Sequence, residues 1–195
     1  MLTRLAADPL RQFLLWQEER RAADPQMSTS AVLATADHRG RPSARWIDVA
    51  YVDHGFVYFT NHASRKAADT AVNPVAALCF GWLDKGRQVR AEGPVDRLGD
   101  VESDAHFATL PRSIQLLAWS SDQHAEIDDR RVVRERFDAQ RDRFTGQEIP
   151  RPTHWGGYRL TPMEMEFWQR RADEIQDRFR YRRQGADWHM ARIAP

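Results

Sequence analysis

Two adjacent cations, Arg65 and Lys66, stand where an alternating aromatic strand gives way to a helical pattern. Phe56 and Tyr58 alternate along the strand, which runs out through Thr60 and Asn61 into Ser64 before the pair. The start of a helix offers unpaired backbone N–H groups and the positive end of the helix dipole, and Arg and Lys add charge-assisted hydrogen bonds to oxyanions. Such a segment would grip a phosphate. An exposed basic helix would show the same residue types, so the segment by itself leaves both readings open.

The elements that must position this grip follow from periodicity and turn residues. A first amphipathic helix is expected over 8–23, started by Asp8-Pro9, with Leu10, Phe13, Leu14 and Gln17 on one side. Strands are expected over 30–35 and 44–52, joined by the turn-forming Asp37-His38-Arg39-Gly40, and over 56–60. A short helix over 65–72 stops before Asn73-Pro74, and strands over 75–82 and 88–98 flank Asp84-Lys85-Gly86. Helical patterns cover 101–108, 111–119 and a charge-rich 125–144, the last with Ile127, Val132, Val133 and Phe137 turned toward the barrel. Strands return over 155–160, 163–169, 179–183 and 188–193. The expected class is α+β, a mostly antiparallel barrel flanked by helices.

Composition narrows the function classes. The 195 residues, 42% hydrophobic, suffice for one domain with a sizeable core. A net charge of +1 gives no bulk attraction to nucleic acid or anionic membrane, and Asp128, Asp129, Glu135, Asp138 and Asp142 dilute the arginines of the long charged segment. A lone Cys79 in an apolar run excludes an intrachain disulfide, and the histidines lack ligand spacing, so no metal is expected. No segment reads as a signal peptide or a membrane span, and a cytoplasmic location is expected.

The C-terminal run HWGGYRLTPMEMEFWQ, followed by DRFRYRRQGADWHMARIAP, resembles the end of pyridoxamine 5'-phosphate oxidases, flavin enzymes of the split-barrel type. The resemblance extends through ATADHRGRPSARW, VYFTNHASRKA, NPVAALCFGW, GRQVRAEGPVDRL and PRSIQLLAWSSDQ, in the same order and with similar spacings, over nearly the whole chain. It implies a split β-barrel of six or more strands in a single domain, with 28–100 as barrel core, 101–147 as a helical segment and 148–195 as the C-terminal strands of the dimerisation region.

It also implies an FMN site. Arg45, with Trp46, Ile47 and Asp48, matches flavin-contacting positions, and Phe59 and Thr60 match a pair at a strand end. Arg65 and Lys66 match the phosphate-binding pair, in agreement with the anion grip read from the residues themselves. Gln88 matches a glutamine facing the isoalloxazine, while Gln123, Trp168 and Arg178 match contacts supplied largely across a homodimer interface. His124 stands where relatives commonly have Ser. Each residue type suits part of FMN: cations for the phosphate, a glutamine for the polar flavin edge, an aromatic for the ring. Outside this context Trp168 would read as core and Gln88 as an ordinary strand residue.

The substrate side departs from the family. The Lys, Tyr, Arg and Ser that hold a vitamin B6 phosphate are matched by Ala50, His106, Leu110 and Ile114, and the Arg and His over the pyridine ring by Glu174 and Gln176. A charge-assisted hydrogen bond contributes roughly 1.5–3 kcal/mol, so losing several removes several powers of ten in phosphate affinity. The expected function is that of an FMN-dependent oxidase acting on a small non-B6 substrate, an amine or reduced heterocycle, possible in specialised biosynthesis, with O2 as acceptor. A true pyridoxamine phosphate oxidase with remodelled contacts, a flavin reductase and a non-enzymatic flavin binder are the alternatives. His106 and Glu174 are candidate acid or base groups, although His106 reads equally as an ordinary helix residue. Arg112, Arg170 and Arg171 are candidates for a shifted anion pocket.

Overall fold

The computed structural model describes residues 5–23, 29–121, 123 and 125–195; His124 lies outside them. β1 (Ser30–Ala36) and β2 (Pro42–Val52) form a hairpin whose register runs from Ser30 opposite Asp48 to Ala36 opposite Pro42. The Asp37 carboxylate fixes the turn by accepting from the N–H groups of Arg39 and Arg41, at 2.9 and 3.0 Å. β2 continues through a bulge between Val49 and Tyr51 into pairing with β3 (Phe56–Asn61). β3 pairs with β6 (Trp155–Leu160), β6 with β5 (Arg87–Arg97), β5 with β4 (Val75–Trp82), and β4 returns to β1. All these pairs are antiparallel, and together they close a six-stranded barrel.

The barrel splits at β5. One edge of this strand pairs with β7 (Glu164–Gln169) from Arg87 to Glu92, then with β6 from Val95 to Arg97. Gly93 lies at the changeover, where an added Cβ would sit 2.0 Å from the carbonyl oxygen of Thr161, so only glycine admits the backbone of the β6–β7 connection. β8 (Asp177–Gln184) and β9 (Asp187–Arg192) extend the sheet outward from β7.

α1 (Pro9–Ala23) covers the core, with the Phe13 ring 5.0 Å from that of Phe56 and 4.6 Å from that of Phe80. Trp16 packs edge-on against Phe167 at 5.2 Å. The buried face is therefore rotated from the expected one: Gln12, Phe13, Trp16 and Gln17 are buried while Leu10 and Leu14 are half-buried. The two glutamines are tolerated because each finds a partner, Gln12 accepting from the Ala6 N–H at 2.8 Å and Gln17 donating to Thr29 Oγ1 at 2.5 Å.

A second apolar cluster, Phe107, Leu116, Phe144 and Ile149, binds α3 (Asp100–Thr109), α4 (Arg112–Ser120) and α5 (Arg130–Arg143) together. Two expectations for the charged segment are corrected here. Its helix begins at Arg130, because Asp129 in extended geometry caps it by accepting from the Arg131 N–H. The helix packs on α4, with Phe137 against the second cluster and Ile127 left exposed, instead of lying on the barrel. Among the described residues no helix is long and apolar enough to cross a membrane.

Candidate cofactor and substrate site

The segment after β3 folds as its residue types require. Asn61 Oδ1 accepts from the Ala63 N–H at 2.7 Å, turning the chain, and Ser64 caps α2 (Arg65–Val72) by accepting from the Ala67 N–H at 3.4 Å. Arg65 and Lys66 thereby occupy the first helical turn. The Lys66 ammonium is buried and donates to Thr60 Oγ1 at 2.9 Å. Burial, and after it the nearby Arg45, push its pKa below the ordinary lysine value.

Arg45 reaches the same place from β2. Its guanidinium donates to the Leu33 carbonyl at 3.1 Å, to Thr35 Oγ1 at 2.8 Å and to Ser43 Oγ. Desolvation lowers its pKa, and Asp69 opposes that shift. Asp69 is itself buried, accepting from the hydroxyls of Thr35 and Ser43 at 2.6 and 2.9 Å, with its Oδ2 3.9 Å from Arg45 and 4.0 Å from Arg65. Two arginines thus flank one carboxylate, with the Lys66 ammonium close to Arg45. The surplus of positive charge, set beside a helix start, suits a phosphate dianion.

These groups open on a cleft of about 610 Å³ lined by Arg45, Trp46, Ile47, Asp48, Phe59, Thr60, Arg65, Lys66 and Gln123, with Ser43 and Ala44. Nine of the twelve expected cofactor residues therefore share one cavity in one chain. Gln123 is among them, although the resemblance groups it with contacts made across the interface. Trp46 stands on the cleft as a large apolar ring 66% exposed.

The other three lie elsewhere, and together. Gln88 on β5 is directly opposite Trp168 on β7, which is opposite Arg178 on β8, so they form one row across three strands of the outer sheet. None of the three lines the cleft. Sequence reasoning missed Ser43, Thr35 and Asp69. The signal for Asp69 was its position four residues beyond Arg65 on one helix face.

A smaller cavity of about 230 Å³ adjoins the cleft, sharing Phe59, Thr60 and Gln123 with it and lined otherwise by Asn61, Ile114, Leu117, Ala118, Ser121 and Trp155. Among the described residues, none that lines it is charged. Of the six expected substrate residues, only Ile114 does. His106 stacks on Phe59 with ring centroids 3.8 Å apart, and burial lowers its pKa. Leu110 packs on the second apolar cluster, and Ala50 is exposed on β2. Glu174 is exposed in the β7–β8 connection with φ at +62°, and Gln176 beside it donates to the Glu174 carbonyl at 3.1 Å. Arg112 donates to the carbonyls of Phe144 and Gln147 and, with Leu110 and Arg141, lines a separate cavity of about 790 Å³, while Arg171 pairs with Asp177.

Residues 17–143 match the family model described as pyridoxamine 5'-phosphate oxidase, and residues 155–195 match that of the pyridoxine 5'-phosphate oxidase C-terminal dimerisation region. The chain is similar to a pyridoxine/pyridoxamine 5'-phosphate oxidase of Cupriavidus necator, 45% identical over 195 residues that cover 99% of this chain and 92% of the relative. It is 43% identical to one of Rubrobacter xylanophilus, covering 96% and 87%. Among solved structures it resembles PhzG from Burkholderia lata 383 in complex with tetrahydrophenazine-1-carboxylic acid, with a TM-score of 0.92, 29% identity, and 97% and 94% of the two chains covered. A pyridoxamine 5'-phosphate oxidase-related, FMN-binding protein of Nostoc punctiforme shares the fold, with a TM-score of 0.75 at 18% identity over 98% and 100% of the chains. With the cationic cleft, the split barrel and both family regions in place, the chain belongs to the pyridoxamine 5'-phosphate oxidase family and is an FMN-dependent oxidase.

Proposed function

We propose that this protein is a homodimeric FMN oxidase whose substrate is a small unphosphorylated molecule, an amine or a reduced heterocycle, with O2 as acceptor. The observation that carries this reading is the cavity beside the cationic cleft, which among the described residues is lined by no charged side chain and is walled by Ile114, Leu117, Ala118 and Trp155. A phosphate placed there would lose its hydration without gaining a cation, which costs several kcal/mol in order of magnitude. An aromatic or alicyclic ring would instead bury apolar surface against Phe59 and Trp155. The PhzG relative, bound to a reduced heterocycle, supports the same class.

In this reading Lys66, Arg45 and Arg65 hold the FMN phosphate, with Asp69 orienting the two arginines. Bound FMN supplies two-electron oxidation of a substrate C–H and passes the electrons on to O2. Two observations support a site completed by a second copy: the exposed Trp46 ring at the cleft, and the Gln88, Trp168 and Arg178 row that its own chain keeps away from that cleft. Neither His106 nor Glu174 is assigned as acid or base, since one is stacked flat on Phe59 and the other faces solvent, and neither lines the cavity.

The second reading is oxidation of pyridoxamine 5'-phosphate itself, favoured by the 45% identity to relatives so named. Anaerobic bleaching of the flavin absorbance decides between them. Bleaching by an unphosphorylated dihydro-heterocycle or amine, with the protein staying yellow under pyridoxamine phosphate, is the expected result; rapid bleaching by pyridoxamine phosphate would overturn the proposal.

A further inference from the structure

We infer that Glu166 is a positioning residue for the cofactor, acting by holding the guanidinium of Arg178. The inference rests on the reading that the Gln88, Trp168 and Arg178 row touches FMN across the dimer. Side chains two apart on a strand share a face, so Glu166 and Trp168 of β7 point to the same side of the outer sheet. Trp168 stands opposite Gln88 and Arg178; Glu166 stands one step along, opposite Arg90 and Arg180.

Glu166 is only 6% exposed, and its two oxygens are divided between two cations. Oε1 accepts from Arg178 Nε at 2.9 Å and lies 2.8 Å from Arg178 Nη2. Oε2 accepts from Arg90 Nη2 at 2.6 Å. Arg178 Nη1 donates to the Ala194 carbonyl at 3.2 Å, so the guanidinium is gripped on two sides. Its plane is fixed before any ligand arrives.

A long arginine side chain is otherwise free to sample many rotamers, and ordering it would weaken binding. A buried carboxylate does this ordering in advance and neutralises the repulsion between Arg178 and Arg90, which share it. Glutamine at this position would keep the shape but not the charge. It would leave two partly buried guanidiniums facing one another with one counter-charge fewer, and Arg178 would turn toward solvent.

The test is FMN release from the dilute holoenzyme, followed by the fluorescence of the freed flavin, together with visible circular dichroism of the bound flavin. Glu166→Gln is expected to raise the dissociation constant about tenfold, as lost charged hydrogen bonds would. It should change the flavin dichroism in the same sense as Arg178→Ala, and add little when combined with it. Arg90→Ala removes the other partner of Glu166 and is expected to leave both readouts at wild-type values. Wild-type release from Glu166→Gln while Arg178→Ala releases FMN readily would overturn the positioning role. Equal weakening by Arg90→Ala would overturn it too, since the effect would then be one of sheet integrity. Unchanged release from Arg178→Ala would instead overturn the underlying reading of Arg178 as a cofactor contact.

Discussion

Lys66→Met should separate the proposed cofactor role of Lys66 from its role in the fold, because the two oppose each other. Lys66 is 7% exposed, its ammonium with a hydroxyl, Thr60, as hydrogen-bond partner and Arg45 near enough to depress its pKa further. Without an anion this charge is poorly compensated; a bound phosphate reverses that. Removing a buried charge-assisted hydrogen bond costs roughly 1.5–3 kcal/mol, equivalent to a rise in the FMN dissociation constant of about 10- to 100-fold. Arg65, with its side chain 53% exposed, should matter less: discounting for solvent, Arg65→Ala is expected to cost about 0.2–1 kcal/mol, fivefold or less. Methionine keeps the stem of Lys66 while discarding the charge, so the flavin-free variant should melt at the wild-type temperature or above it. Saturating FMN, by mass action, should then raise the melting temperature of wild type more than that of the variant. The assay is FMN titration with parallel thermal melts, with and without flavin. A variant that binds FMN as tightly as wild type, or a flavin-free variant that melts well below it, would refute this account of the cleft.

Two further outcomes test the fold that carries the site. His62 has its pKa lowered from 6.5 to about 4, chiefly by burial and then by Arg97, with Nδ1 3.0 Å from the Tyr158 hydroxyl and Nε2 buried without a hydrogen-bond partner among the described residues. A folded-state pKa below the unfolded value means that the unfolded chain binds the proton more readily, so stability is lost as pH falls from 6.5 toward 4. Discounted for partial solvent access, the loss is about 1–2 kcal/mol; His106, shifted the same way, adds to it, and urea melts across this range should show a shallower acid limb for His62→Gln. Phe13→Ala removes a fully buried ring packed against Phe56, Phe80 and Trp82, and urea melts should show a loss of about 3–5 kcal/mol, with an unchanged midpoint contradicting the placement of α1.

Sequence alone determined most of the elements, because local chemistry sets them. The bounds of α2, β4 and β6 are the expected ones, fixed by Ser64 and Asn73 around the helix and by alternation along the strands. Local capping also explains where expectation ran long: Asp129 starts α5 five residues later than helical periodicity suggested. The cationic helix start was legible for the same reason, since Thr60, Arg65 and Lys66 are neighbours in the chain and a helix start needs no distant partner to present positive charge. Tertiary structure decided what depends on residues remote in sequence. Which face of α1 is buried was settled by the fit of Phe13 and Trp16 among rings from β3, β4 and β7, where helical spacing alone allowed Leu10 and Leu14. Asp69 became a buried counter-charge only because barrel closure brings Thr35, Ser43 and Arg45 over α2. The division of the twelve expected cofactor positions into a cleft and a separate row on the outer sheet follows from the split at β5, where Gly93 lets the strand exchange β7 for β6 along one edge. Strand partners are chosen by long-range register and packing, and no local pattern in the chain encodes that choice.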